Sequence, residues 1–312
     1  MQYTFIDLFA GIGGFHLAFH DVGAKCVFAC EWDEHARKTY ETNWRKVSPE
    51  MFEKGNFAGD IKFVNEKEMP DFDIITGGFP CQPFSHAGFK KGFADQRGTL
   101  FHDIVRIMKE KKPAAFFLEN VSHLLKHDDG KTFEVIKKTI EEELGYSFYH
   151  KIVRASDFGL PQHRPRLFMV GFRDKNINFE FPEPIKLTKT MSDIWKGKCE
   201  KRIGYTLRVG GRGSGIHDRR NWDSYMVDGE VKKLSPTEGK RMMGFPEDFI
   251  FPVSQVQAMK QLGNSVAVNG IKAVAQQIIN SLEIYDNRKQ GRVERVLRVP
   301  ENSRGRETIR SR

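Results

Sequence analysis

Apolar runs alternate along the chain with segments of helical periodicity. "YTFIDLF" (3–9), "KCVFAC" (25–30), "FDIIT" (72–76), "AAFFLEN" (114–120), "YSFYHKIV" (146–153) and "RLFMVGF" (166–172) read as strands. Several are apolar throughout, the mark of strands buried on both faces. Residues 34–44, 98–111 and 131–144 between them read as helices, and in the last Phe133, Ile136, Ile140 and Leu144 share one face. Such alternation predicts an α/β fold built on a doubly wound, mostly parallel, Rossmann-like sheet. The pattern breaks after Arg173. Residues 174–253 are rich in glycine, proline and basic side chains and predict a second, smaller, loop-rich β domain. Helical periodicity returns over 254–285, where Ala267, Ile271, Val274 and Ile278 fall on one face of a single helix that packs back on the first domain, 1–173.

Charge adds one feature. The formal net charge is +9, and residues 287–312 carry nine Arg or Lys against three Glu, so two thirds of the excess sits in the last segment, part of a tail expected over 286–312. With few apolar residues it reads as a disordered tail, either a plain solvated terminus or a DNA-binding arm. The four cysteines, Cys26, Cys30, Cys81 and Cys199, show no CxxC spacing, and no His pair stands near them at ligand spacing. Neither a disulfide framework nor a metal is expected. The opening "MQYTFIDLFAGIGG" has no basic leader, and nowhere do 18 apolar residues follow one another, so a cytoplasmic, non-membrane protein is expected.

Two stretches carry chemistry. The first strand runs into "FAGIGG" (9–14) and then into a helical segment, an arrangement that brings backbone N–H groups close to a ligand at the positive end of a helix. Glu31 ends the second strand, where Rossmann-like sheets place a carboxylate on a ribose. "GIGG" is not GxGxxG, and a glycine turn alone reads equally as a plain tight turn. Together with Glu31, Trp32 and the turn "AGDI" (58–61) it favours an adenosyl ligand. In "GGFPCQPFS" (77–85) the prolines hold Cys81 in a stiff turn, a poor place for a packing cysteine and a good one for a nucleophile. Glu119 ends the apolar "FFLEN", where partial burial would suit a proton donor. Arg164 and Arg166 flank Pro165, and in extended chain both would point to one face.

Nine segments in order, from "DLFAGIGGFHLAF" (7–19) through "GGFPCQPFSHAG" (77–88), "FFLENV" (116–121) and "QHRPRLFMVGFR" (162–173) to "QLGNSVAVNG" (261–270), resemble the cytosine-5 DNA methyltransferases of bacterial restriction-modification type. The resemblance runs to about residue 280. It implies Cys81 as the nucleophile toward carbon 6 of a flipped-out cytosine, Glu119 as proton donor at N3, Arg166 on the cytosine carbonyl oxygen, and Arg164 touching phosphate or steadying the catalytic loop. It implies S-adenosylmethionine as methyl donor, surrounded by Phe9, Gly11, Ile12 and Gly13. Glu31 would take the ribose, Trp32 stack on adenine, and Asp60 with Ile61 recognise its edge. Pro80, Leu100, Asn264 and Val266 would complete the pocket. The plain alternative for Asn264 is the N-cap of the last helix.

Residues 204–222 set Arg208, Arg212, Arg219 and Arg220 among five glycines, a composition suited to reading guanine in a major groove or to gripping phosphate. Ser85 and Arg97 are further DNA contacts by the resemblance. The expected partner is duplex DNA bearing a specific, GC-containing site, bound by a monomer, with a cognate restriction endonuclease acting on that site. Three rivals stand beside this: a transfer-RNA cytosine methyltransferase, a non-catalytic DNA-binding protein of the same fold, and a nicotinamide-dependent oxidoreductase.

Overall fold

The computed structural model describes residues 2–80, 100–210, 213–289 and 291. Its strands are β1 Thr4–Leu8, β2 Lys25–Cys30, β3 Phe57–Ala58, β4 Ile74–Gly78, β5 Ala115–Val121, β6 Tyr149–Arg154, β7 Pro165–Phe172, β8 Ser224–Val227 and β9 Glu230–Lys233. The α-helices are α1 Gly14–Asp21, α2 Glu34–Trp44, α3 Pro49–Glu53, α4 Leu100–Lys111, α5 Lys131–Lys138, α6 Met191–Trp195, α7 Pro236–Met243, α8 Gln255–Asn264 and α9 Val268–Lys289.

Seven strands form one sheet in the order β3-β2-β1-β4-β5-β7-β6. The pairings from β3 to β5 are parallel, while β7 runs antiparallel to both β5 and β6. Each central strand feeds two cores through the two-residue repeat of a strand. Phe5, Ile74 and Phe117 face one side with α1 and α9, and Ile6, Ile75 and Phe116 face the other with α4 and α5. Apolar residues of the 174–253 segment, among them Leu207, Trp222, Tyr225, Met242 and Phe249, join the first of these cores. The segment's regular strands, β8 and β9, form an antiparallel hairpin. No helix among the described residues is long and apolar enough to cross a membrane.

The single helix expected over 254–285 is two helices. Chain at Ser265 is extended (φ −72°, ψ 169°), and Asn264 is the last residue of α8 rather than the cap of α9. Ala267 lies in the break, and α9 buries Ile271, Val274 and Ile278 instead. It packs against α1, with Lys272 Nζ 2.8 Å from Asp21 and the Tyr3 hydroxyl donating to Asp286 at 2.8 Å. α5 passes after Lys138 into a π-helical turn, Thr139–Glu143.

Candidate active site

The sheet order reverses between β1 and β4, and in open α/β sheets ligands bind outside the carboxyl ends of the strands at such a switch point. The chain leaving β1 there is bent hard: Phe9, Gly11 and Gly13 have φ of 56°, 56° and 88°. A Cβ on Gly11 would meet nothing within 4 Å, so glycine is needed there for its backbone angle and leaves open space beside it. A Cβ on Gly13 would overlap the Trp44 indole. Glu31 holds the loop by accepting the Gly11 N–H at 2.7 Å and the Asp33 N–H at 2.8 Å. Burial raises its pKa, and these N–H groups oppose the shift.

Other expected pocket residues gather at the same end. Trp32 is 76% exposed at the end of β2, with its ring free to meet a ligand. Asp60 accepts the Lys62 N–H at 3.0 Å, which sets the turn through the buried Ile61. Val266, in the α8–α9 break, packs on the start of α1, since a Cβ on Gly14 would lie 2.6 Å from its Cγ2. Pro80 stands exposed just past β4, and Leu100 opens α4. Ile12 is 1% exposed, so its side chain packs in the core and only its backbone belongs to the loop. Asn264 is exposed at the end of α8, with no bond to the loop among the described residues. Two braces were not legible in the sequence: Arg37 donates to the carbonyls of Glu31 (3.0 Å) and Ala58, and Arg106 to those of Val64 (2.7 Å) and Ile61.

Glu119 lies across from Gly78 in the β4–β5 register. A Cβ at 78 would come within 3.2 Å of its Oε2, so the glycine makes room for the carboxyl. Arg166 Nε meets Glu119 Oε1 at 2.9 Å, and Arg166 also donates to the Pro165 carbonyl at 2.9 Å. Burial pushes the Glu119 pKa up against the pull of Arg166 and Arg164, so the carboxyl holds its proton to higher pH than an ordinary glutamate. Asn120 donates to the Phe79 carbonyl at 2.9 Å and ties this strand end to the end of β4.

Of the two roles expected for Arg164, the structure speaks against the phosphate contact, while the catalytic loop it would steady lies outside the described residues. Arg164 is 2% exposed and donates to the carbonyls of Leu207 (3.0 Å), Gly263 (3.0 Å) and Ser265. A guanidinium so enclosed does not reach a phosphate. It binds the start of β7 to the 174–253 segment and to the α8–α9 break, and satisfies carbonyls that the broken helix leaves open. Burial, with repulsion from Arg166, pulls it down to about 9, which leaves it charged at neutral pH. Arg164→Met strands these buried acceptors and is expected to lower stability by about 3 kcal/mol, a fall in Tm of roughly 5–10 °C by calorimetry. An unchanged Tm would show that the carbonyls find other donors.

Of the arginines expected to read DNA, Arg208 and Arg219 are exposed, and the Arg208 backbone lies against Gly263. Arg220 is held by Asp218 through contacts of 2.7 and 3.1 Å. Cys81, Ser85, Arg97 and Arg212 lie outside the described residues. The described cysteines, Cys26, Cys30 and Cys199, are buried, and burial raises all three thiols, Cys30 to about 12.

A doubly wound sheet with a glycine loop at its switch point, a buried carboxylate after β2 and a buried acid on β5 has the architecture of an open α/β fold that binds a ligand at the ends of its strands. Comparison with known proteins narrows this. The sequence model of the C-5 cytosine-specific DNA methylases matches residues 3–209 and 208–280. The Type II methyltransferase M.SsoII of Shigella sonnei is 44% identical over 90% of this chain and 81% of its own length. M.HhaI of Haemophilus parahaemolyticus is 41% identical over 89% of this chain and 94% of its own. Among solved structures, the DNMT2 of Spodoptera frugiperda covers 90% of this chain at a TM-score of 0.66 and 18% identity, a likeness of fold. The chain belongs to the C-5 cytosine-specific DNA methylase family and is a DNA cytosine-5 methyltransferase.

Proposed function

We propose that this enzyme methylates one cytosine within a specific duplex sequence, using S-adenosylmethionine as donor and Cys81 as a transient covalent catalyst, as the modification half of a restriction-modification pair. The observation that carries the reading is the buried pair of Glu119, on β5 beside β4, with Arg166, on β7, next to the end of β4 that leads through Pro80 into Cys81. Support for a donor at the end of β1 comes from the open space at Gly11, the buried Glu31 carboxylate and the exposed Trp32. When bound, the donor supplies an electrophilic methyl group.

In this reading the chain's own residues do the rest. The Cys81 thiolate adds to carbon 6 of the cytosine, which makes carbon 5 an enamine carbon able to accept the methyl group. Charge drawn toward N3 is met by a proton from Glu119, which burial makes hold its proton to higher pH than an ordinary glutamate. After methyl transfer, loss of the carbon-5 proton to a base expels the Cys81 sulfur, N3 returns its proton, and the ring is restored. Arg166 orients Glu119 through Nε, and further donors on its fork serve the cytosine carbonyl oxygen. Because the target atom is hidden in the duplex, the base must be extruded. Residues 1–173 form the catalytic and donor-binding part, 174–253 the target-recognition part, and 254–285 return to the catalytic part. The tail expected from residue 286 overlaps α9, which runs to Lys289, and the rest of it lies, apart from Gly291, outside the described residues.

Bisulfite sequencing of plasmid from cells expressing the protein tests this. The expected result is 5-methylcytosine in a single GC-containing context. Unmodified DNA, or methylation without regard to context, would overturn it.

A further inference from the structure

The glycine loop holds three left-handed backbone positions within five residues, Phe9, Gly11 and Gly13, and such a conformation persists only where its surroundings hold it. Glu31 fixes the loop on one side, through Gly11. On the other side the Trp44 indole N–H donates to the Ile12 carbonyl at 3.0 Å. Trp44 is 4% exposed and lies flat on His16, ring centres 4.4 Å apart and planes 14° off parallel. His16 is itself locked: its Nδ1 pairs with the Tyr40 hydroxyl at 2.6 Å and its Nε2 with the Ser48 hydroxyl at 3.1 Å. Asp33, just past Glu31, caps α2 by accepting the Ala36 N–H at 2.9 Å, and Trp44 ends the same helix. The two braces thus stand at opposite ends of one helix, Glu31 through the N–H of its cap Asp33 and Trp44 as its last residue.

We infer that Trp44, held flat by His16, is a positioning residue for the methyl donor: its indole N–H fixes the Ile12 carbonyl and with it the backbone of the donor loop. The arrangement also explains glycine at 13, where any side chain would displace the indole. Burial pushes His16 down to about 3, so the platform is a neutral ring throughout the working pH range and the brace does not switch with pH. This rests on the donor reading above, and its test separates the two.

Calorimetric titration with S-adenosylhomocysteine gives the affinity, and tritiated methyl transfer at saturating DNA gives the KM for the donor and kcat. Trp44→Phe keeps an aromatic ring beside His16 and removes the N–H together with the rest of the five-membered ring, so Tyr40→Phe, which removes a hydroxyl alone, is measured beside it. Loss of one hydrogen bond to the loop is expected to weaken S-adenosylhomocysteine binding and raise the donor KM by about fivefold to tenfold. kcat at saturating donor and the affinity for duplex DNA hold. Equal affinity in wild type and variant overturns the inference, as does a parallel fall in kcat and DNA binding, which marks general damage. No binding by the wild type instead overturns the donor reading itself. Tyr40→Phe takes away the anchor of His16 and decides the matter alone should Trp44→Phe fail to fold. It is expected to weaken donor binding by about twofold to threefold, and unchanged affinity there counts against the inference.

Discussion

Replacement of Cys81 by alanine is expected to lower methyl transfer by on the order of 10⁴-fold or more, while binding to the target duplex persists. Carbon 5 of cytosine does not attack a methyl donor unaided, and without a sulfur at carbon 6 nothing else in the proposed site generates the enamine. The three described cysteines cannot substitute, because all are buried and burial holds their thiols protonated. Tritiated methyl incorporation set beside a gel-shift titration checks both halves. Activity near that of the wild type would remove covalent catalysis from the account.

Glu119→Gln is expected to cut kcat by about 10²- to 10³-fold, with a smaller change in donor affinity. The amide keeps the shape of the side chain and a bond to Arg166, but has no acidic proton to deliver to N3. The sign of the pH dependence follows from the raised pKa. The acid form dominates below it and is lost above it, so the wild-type kcat profile should carry a descending limb displaced upward from the ordinary glutamate range. Ionisation of the Cys81 thiol supplies an ascending limb. In Glu119→Gln the descending limb should vanish and the ascending one remain. A variant that kept both limbs would assign the proton to another group.

How much of this was legible in the sequence depended on whether the determining interaction was local. β2 and α2 are read at their bounds because their signals lie within them: an unbroken apolar run for Lys25–Cys30, and an Asp33 cap opening Glu34–Trp44. The break at Ser265 was invisible because apolar periodicity continues across it, and the group that accommodates it, Arg164, lies about 100 residues earlier in the chain. Arg164 precedes β7, which begins at Pro165, and the carbonyls of Leu207, Gly263 and Ser265 that enclose its guanidinium are too distant in the chain for sequence spacing to reveal. Glu119 and Glu31 stood out in the sequence because each follows an apolar run, where a carboxylate is conspicuous. His16 and Trp44 were passed over as ordinary helix residues. Only the fold places the indole under the Ile12 carbonyl.

The proposed bond between the Cys81 sulfur and an extruded cytosine is open to direct capture. Duplex DNA carrying 5-fluorocytosine at the methylated position, incubated with the enzyme and S-adenosylmethionine, should yield a denaturant-stable complex of one polypeptide and one duplex, absent with Cys81→Ala. Binding of that duplex without any covalent adduct would contradict the account.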